Sequence, residues 1–210
     1  MTLATFIQAS AHRLDGIADG SVQAIVTSPP YYGLRAYAGE QGVEWPAVEY
    51  APMPGLSTIR IAGCEPGCEH EWVSQLIAPK HDDDGVTGST LGGGKATQAQ
   101  SQRQPVTVGY CAKCGGWRGG LGNEPTLEAY IGHLILCLRE WRRVLRDDGI
   151  AFVNLGDSFS GIGGAGGDYN EGGLRAGQPK FKAGKFAGLK AKDLMMVPAR
   201  FALAAQADGW

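Results

Sequence analysis

Residues 22–31 read Val22-Gln23-Ala24-Ile25-Val26-Thr27-Ser28-Pro29-Pro30-Tyr31. The first six are apolar and rich in β-branched side chains, which predicts a buried strand. The two prolines end it, because proline has no N–H to give to a ladder. Upstream, Asp19-Gly20 is a turn signal, and residues 11–21 read as a short helix followed by that turn. A second apolar run follows at residues 150–155, just after Gly149. Between the two runs, Leu127, Tyr130, Ile131, Leu134, Leu138, Trp141 and Leu145 recur at helical spacing. They predict a helix over 126–146 with one apolar face and Thr126 as its N-cap. A strand, a crossover containing a helix and another strand predict an α/β sheet, with the two strands parallel. Residues 192–207 read as a further helix interrupted by Asp193 and Pro198, and residues 32–60 show little periodicity.

The 210 residues suit one domain with a small insert, and a hydrophobic fraction of 43% suffices for a core. A net charge of −2 gives no global basic field to announce a nucleic-acid partner, although a basic cleft fits within a neutral protein. No stretch approaches the roughly 20 apolar residues of a membrane span, and no signal-peptide pattern opens the chain. The expectation is a soluble cytoplasmic protein. Five cysteines in a reducing compartment argue against a disulfide framework.

Four of those cysteines fall in two short groups, which points to a metal. Cys111-Ala112-Lys113-Cys114, followed by Gly115-Gly116, has the spacing and tight turn of a zinc knuckle. Tetrahedral zinc needs two more ligands, to be drawn from Cys64, Cys68 and His70. The intervening chain of about 40 residues is tolerable, since closure entropy grows slowly with length. Residues 79–105 are polar and rich in Gly, Ser and Gln, and read as a mobile loop inside this insert. Cys137 reads as a packed thiol on the long helix.

Ser28-Pro29-Pro30-Tyr31 sits where ligands bind in open α/β sheets, beyond the carboxyl end of a strand. Its residues suit one task. An exocyclic amine on a nucleobase is a poor nucleophile, because its lone pair is delocalised into the ring. Acceptors for its hydrogens, such as the Ser28 hydroxyl and the Pro29 carbonyl, would hold it in line with a methyl donor. Tyr31 offers a face on which an extruded base can stack. The plainer alternative is a turn after a strand.

The run from Asp19 to Arg35 resembles the catalytic loop of the beta-type amino-methyltransferases that modify cytosine N4 or adenine N6 in DNA. The resemblance continues at Asn123-Glu124-Pro125-Thr126, along the helix to Arg146, and at Asp148-Gly149 and Asn154-Leu155-Gly156-Asp157-Ser158. It resumes at Lys190-Ala191-Lys192-Asp193-Leu194 and Pro198-Ala199-Arg200, and reaches Asp208-Gly209-Trp210. It implies a partial Rossmann-like methyltransferase sheet with an inserted zinc knuckle, divided as residues 1–60, 61–122 and 123–210. It implies S-adenosylmethionine as cofactor and double-stranded DNA as partner. Ser28, Pro29, Pro30 and Tyr31 are implied to bind the target amine and the flipped base. Serine at position 28 favours cytosine N4 over adenine N6. Ser10 stands where members often carry an acidic residue, and Ser10 and Asp157 are the implied cofactor contacts. Similarity to phage and actinobacterial members favours Cys68, His70, Cys111 and Cys114 as ligands of a structural zinc, with Cys64 replacing His70 as the rival. The family's Asp-Pro-Phe cofactor loop is not found, so the expectation is that the chain stops before the cofactor-binding half, or that a second chain supplies it. The competing reading is an inactive fragment that binds DNA through the knuckle.

Three basic or glycine-rich stretches carry less information. Residues 161–167 contain five glycines but no flanking strand–helix pattern, and read as a flexible loop rather than a nucleotide fingerprint. Lys180, Lys182, Lys185, Lys190 and Lys192 alternate with Phe181 and Phe186, which suits either a DNA backbone contact or a solvated tail. Arg139, Arg142, Arg143 and Arg146 read as a solvated helix face that could alternatively touch phosphates.

Overall fold

The structure, a computed structural model, describes residues 4–33, 42–77, 106–160, 188–190 and 192–210. Residues 79–105, residues 161–167 and the lysines before Lys190 lie outside the described residues.

β1 (Val22–Thr27) pairs in parallel with β8 (Leu145–Val153). Their register runs from Ala24 opposite Ile150 to Thr27 opposite Val153. Parallel neighbours need a long crossover, and here it contains α1 (Leu127–Val144). Thr126 caps α1 by accepting the Ala129 N–H at 3.1 Å. Glu128 occupies the first turn and Arg142 and Arg143 the last, in the order the helix dipole favours. The strand after α1 begins at Leu145, five residues earlier than the sequence predicts, because Leu145 pairs with Val22. The extra residues 146–149 are accommodated by a register shift before Ala24, and an Arg146–Asp148 ion pair at 2.9 Å lies within it.

Residues 11–21 form turns instead of the expected helix. Gly16 and Gly20 adopt φ of +86° and +60°, outside the helical region. The Arg143 guanidinium takes the carbonyls of Leu14 and Ile17. The Leu14 carbonyl also accepts the Ile17 N–H at 3.2 Å, a three-residue turn bond rather than a helical one.

Three strands arise where the sequence shows no period. β2 is Val43–Glu44, β3 is Val48–Tyr50 and β4 is Ile59–Ile61. β3 and β4 form an antiparallel pair that packs on α1. At Gly132 a Cβ would sit 2.9 Å from Val48 and 3.1 Å from Ile61, so glycine permits this close approach. β5 (Trp72–Ile77), β6 (Val106–Cys111) and β7 (Trp117–Gly119) join β2 in an antiparallel sheet ordered β2-β7-β6-β5.

α2 (Val197–Ala207) also packs on α1, burying Val197, Phe201 and Ala204. Pro198 opens this helix rather than interrupting it, since a first-turn residue needs no N–H donor. Tyr130, Leu134 and Ile135 at the centre of α1 are fully buried, each adding about 1.5–3 kcal/mol of hydrophobic stabilisation. Among the described residues no helix is long and apolar enough to cross a membrane.

Candidate active site and metal centre

The β1–β8 ladder closes where Asn154 donates to the Thr27 carbonyl at 2.9 Å. The chain then turns through Ser28, which is exposed, Pro29, which is buried, and Pro30 and Tyr31, which are half-buried. Four of the sequence-predicted residues thus stand together at the carboxyl ends of two parallel strands. The Ser28 and Tyr31 hydroxyls are 3.1 Å apart, which ties the two side chains to each other. The Tyr31 ring lies over Gly156, where a Cβ would come within 2.7 Å of it.

Residues remote in sequence hold this corner from below. The Tyr130 hydroxyl donates to the Pro30 carbonyl at 2.9 Å. Burial pushes the Tyr130 hydroxyl well above its usual range, so it keeps the proton it donates. The Gly33 N–H donates to the Gly122 carbonyl at 2.8 Å. Sequence reasoning placed Tyr130 on an apolar face and assigned Gly122 nothing. The available signal was a tyrosine, with its polar tip, in the middle of an apolar stripe.

The two residues implied for the cofactor have different partners. Ser10 Oγ is 2.8 Å from His12 Nδ1, and the His12 ring packs on Trp45 at 4.7 Å. Asp157 follows Gly156 and therefore adjoins the corner. Its Oδ1 accepts the N–H groups of Ser158 at 2.8 Å and Val197 at 3.1 Å. Met196 offers no side-chain cap to α2, so Asp157 supplies the carboxylate at that helix start.

Cys68, His70, Cys111 and Cys114 converge elsewhere, with ligand atoms all within 4.8 Å of one another. The Cys68 and Cys111 sulfurs are 3.8 Å apart, and Cys114 Sγ is 3.5 Å from His70 Nδ1. Tetrahedral zinc, with Zn–S of about 2.3 Å and Zn–N of about 2.0 Å, sets such edges at roughly 3.5–3.8 Å. The donor set and its dimensions therefore fit this ion. Gly115 at φ +72° makes the knuckle turn, and Cys114 N–H points at Cys111 Sγ at 3.5 Å. Burial opposes ionisation of Cys111, but the Cys114 N–H, the His70 ring and the Glu71 and Lys113 N–H groups outweigh it and hold the thiol low. His70 Nε2 faces Glu44 Oε2 at 3.8 Å, the outer carboxylate that metal-binding histidines commonly carry. Cys64 lies outside the cluster, with its sulfur directed at the Trp117 carbonyl at 3.5 Å. Cys137 is buried in α1, and burial pushes its thiol up to about 12.

No protein-family profile and no solved structure matches the chain. Curated relatives do. The Type II methyltransferase M.SmaI of Serratia marcescens is 39% identical over 99 residues, 44% of this chain and 31% of that protein. M.Cfr9I of Citrobacter freundii is 35% identical over 97 residues, 43% of this chain and 30% of that protein. M.MwoI of Methanothermobacter wolfeii is 50% identical over 44 residues, 21% of this chain and 7% of that protein. Over the matched stretch the chain is a relative of Type II DNA methyltransferases. It spans less than a third of the length of these relatives.

Proposed function

We propose that the chain carries the base-binding corner of a DNA amino-methyltransferase that uses S-adenosylmethionine, with cytosine N4 favoured over adenine N6. The observation that carries the reading is the exposed Ser28 hydroxyl beside the Tyr31 ring, on a proline-stiffened turn beyond two parallel strands. Ser28 Oγ and the Pro29 carbonyl accept the hydrogens of the target amine. Tyr31 stacks the extruded base, and its ring is kept in place by Gly156 beneath it. When bound, S-adenosylmethionine supplies the electrophilic methyl group. Asp157, next to the corner, is the better placed of the two proposed cofactor contacts, Ser10 and Asp157.

The proposal extends to the frame. β1 and β8 are read as two strands of a Rossmann-like sheet. Val26, Ile150 and Phe152 share one sheet face and are 81%, 55% and 58% exposed, which fits a face that a further layer covers. Residues 1–60 and 123–210 are read as the methyltransferase part and residues 61–122 as an insert whose sheet also recruits β2. The insert is proposed to hold structural zinc. The biological role proposed is cytoplasmic DNA modification of the restriction–modification kind. A second reading, a zinc-stabilised module that binds DNA without methylating it, is favoured by Arg118 stacked 4.5 Å over Trp72 on one face of the insert's sheet. Salt-dependent DNA affinity without cofactor binding would select it.

The test is transfer of labelled methyl from S-adenosylmethionine to duplex DNA, by this chain alone and mixed with the cofactor-loop part of a relative. Ser28→Ala and Tyr31→Ala are each expected to lower transfer by 100-fold or so, about 2.7 kcal/mol of transition-state stabilisation, without shifting the melting temperature. Failure of both preparations to transfer methyl would remove the enzyme reading. Gly156→Ala is a finer probe. It leaves both reacting side chains intact but drives a methyl group into the Tyr31 ring. A fluorescent base analogue at the target position is expected to lose its stacking signal, with less than about 1.5 kcal/mol lost from stability, since a half-buried side chain can yield.

A further inference from the structure

Resting on that methyltransferase reading, we propose that Glu124 is a positioning residue for the base-binding corner: its carboxylate, oriented by His133, holds the Gly122 N–H so that Gly122 braces the backbone of Pro30 to Gly33.

Glu124 and His133 are 5% and 1% exposed. Two ionisable groups at such depth are costly unless their polar atoms are matched. Glu124 Oε1 lies 3.0 Å from His133 Nδ1, and Oε2 accepts the Gly122 N–H at 2.7 Å. His133 has little freedom to turn away. Its ring stacks on Trp45 at 4.3 Å and 12°, and on Trp117 at 5.5 Å and 16°. Trp45 is itself pinned by donation from Nε1 to the Gly119 carbonyl at 2.9 Å. His133 Nε2 meets no partner among the described residues, so the imidazole's hydrogen bonding is directed to Glu124.

Gly122 passes this constraint to the corner. It adopts φ +92°, and a Cβ there would lie 2.9 Å from the Tyr31 carbonyl oxygen and 3.3 Å from that of Pro30. Its N–H is held by Glu124 and its carbonyl receives the Gly33 N–H. The peptide groups of one glycine therefore connect a buried carboxylate to the turn that carries Ser28 and Tyr31. An apolar residue at 124 would fill the same volume but leave the Gly122 N–H unmatched.

The test compares Glu124→Leu with Glu124→Gln in the full 210-residue chain. Glu124→Leu is expected to accelerate amide hydrogen exchange at Gly122 and Gly33 at least tenfold relative to amides in the middle of α1. Methyl transfer to duplex DNA is expected to fall at least tenfold in kcat, with KM for S-adenosylmethionine within twofold. Glu124→Gln keeps an oxygen for the Gly122 N–H and is expected to recover both readouts to within threefold. If Glu124→Leu leaves Gly33 exchange unchanged, or changes it only in step with α1, the proposal is overturned. It is also overturned if Glu124→Gln is as defective as Glu124→Leu, which would assign the effect to charge. Should Glu124→Leu not fold, exchange in the parent chain still decides. Gly122 is expected to be protected like the centre of α1, and a freely exchanging Gly122 amide overturns the proposal. A parent chain that transfers no methyl under any condition defeats the methyltransferase reading, while the exchange data judge the Glu124 brace separately.

Discussion

Chelating the metal proposed for the Cys68–His70–Cys111–Cys114 centre is expected to unfold the β2-β7-β6-β5 sheet. Structural zinc contributes about 10–16 kcal/mol in isolated knuckle peptides, whereas whole domains are stable by only about 5–15 kcal/mol. Even a fraction of that contribution exceeds what strands of two to six residues hold by themselves. The cluster sits at the Cys111 end of β6, which pairs with both β5 and β7, so loss of the centre frees both ladders. Titration should show one equivalent of zinc, and cobalt substitution should give the spectrum of a three-sulfur, one-nitrogen tetrahedron. Cys111→Ser and Cys114→Ser are expected to abolish binding and quench the Trp72 and Trp117 environment. Cys64→Ser is expected to retain the full equivalent. Should Cys64→Ser lose the metal while His70→Ala keeps it, the ligand set is wrong and the rival set with Cys64 takes its place.

Gly63→Ala is expected to cost about 4 kcal/mol or more, in the range that marks a failure of backbone packing rather than an ordinary surface change. A Cβ at Gly63 would fall 1.7 Å from the Ala47 nitrogen and 2.1 Å from the Pro46 carbonyl carbon. At Gly116 it would fall 2.5 Å from the Cys64 Cα. Three backbone segments meet here without side chains between them. Cys64 N–H donates to the Trp45 carbonyl at 2.8 Å, and Trp45 N–H to the Trp117 carbonyl at 3.3 Å. Because the obstacle is main chain, no rotamer change relieves it. Gly67→Ala provides the contrast. Gly67 has φ +80° but open space around it, so alanine there is expected to cost only about 1–2 kcal/mol of left-handed strain. Urea unfolding of the two variants checks the difference, and equal midpoints would show that the 45–47 segment can simply move aside.

Neither Gly63 nor Gly116 announces itself in the sequence, and the reason is general to this chain. Features set by neighbours in sequence were legible. Val22–Thr27 is a β-branched run stopped by prolines, α1 has its apolar period and its Thr126 cap, and Cys111-x-x-Cys114 shows its spacing. Features set by distant partners were not. β2, β3 and β4 are two or three residues long and exist because Gly119, Ile61 and Val48 happen to lie opposite. The three arginines of α1, with Arg146 just beyond it, read as a solvated face, and Arg139, Arg142 and Arg146 are indeed exposed. What the sequence did not show is their partners: Arg139 forks onto Asp208, Arg142 donates to the Asp208 carbonyl, Arg143 meets Glu140 and Asp19, and Arg146 meets Asp148. Of the candidate site, the four corner residues could be quoted from the sequence. The tyrosine, glycine and glutamate beneath them lie about a hundred positions away, and only folding brings them there.

One of those arginines gives the molecule an uneven response to electrolyte. Arg143 donates to the Leu14 and Ile17 carbonyls, pairs with Asp19 and Glu140, and its own carbonyl receives the Gly20 N–H. Residues 14–20, which it gathers, have no helix or strand of their own, and only Leu14 and Ile17 among them are even half-buried. Leu14 packs against the core, but the remaining attachment is ionic or through hydrogen bonds. Charges in contact with solvent weaken as the Debye length shrinks from about 10 Å at 0.1 M salt to about 3 Å at 1 M. Added salt therefore loosens the approach to the first strand long before it disturbs the helices, while warming attacks the two regions in the ordinary way.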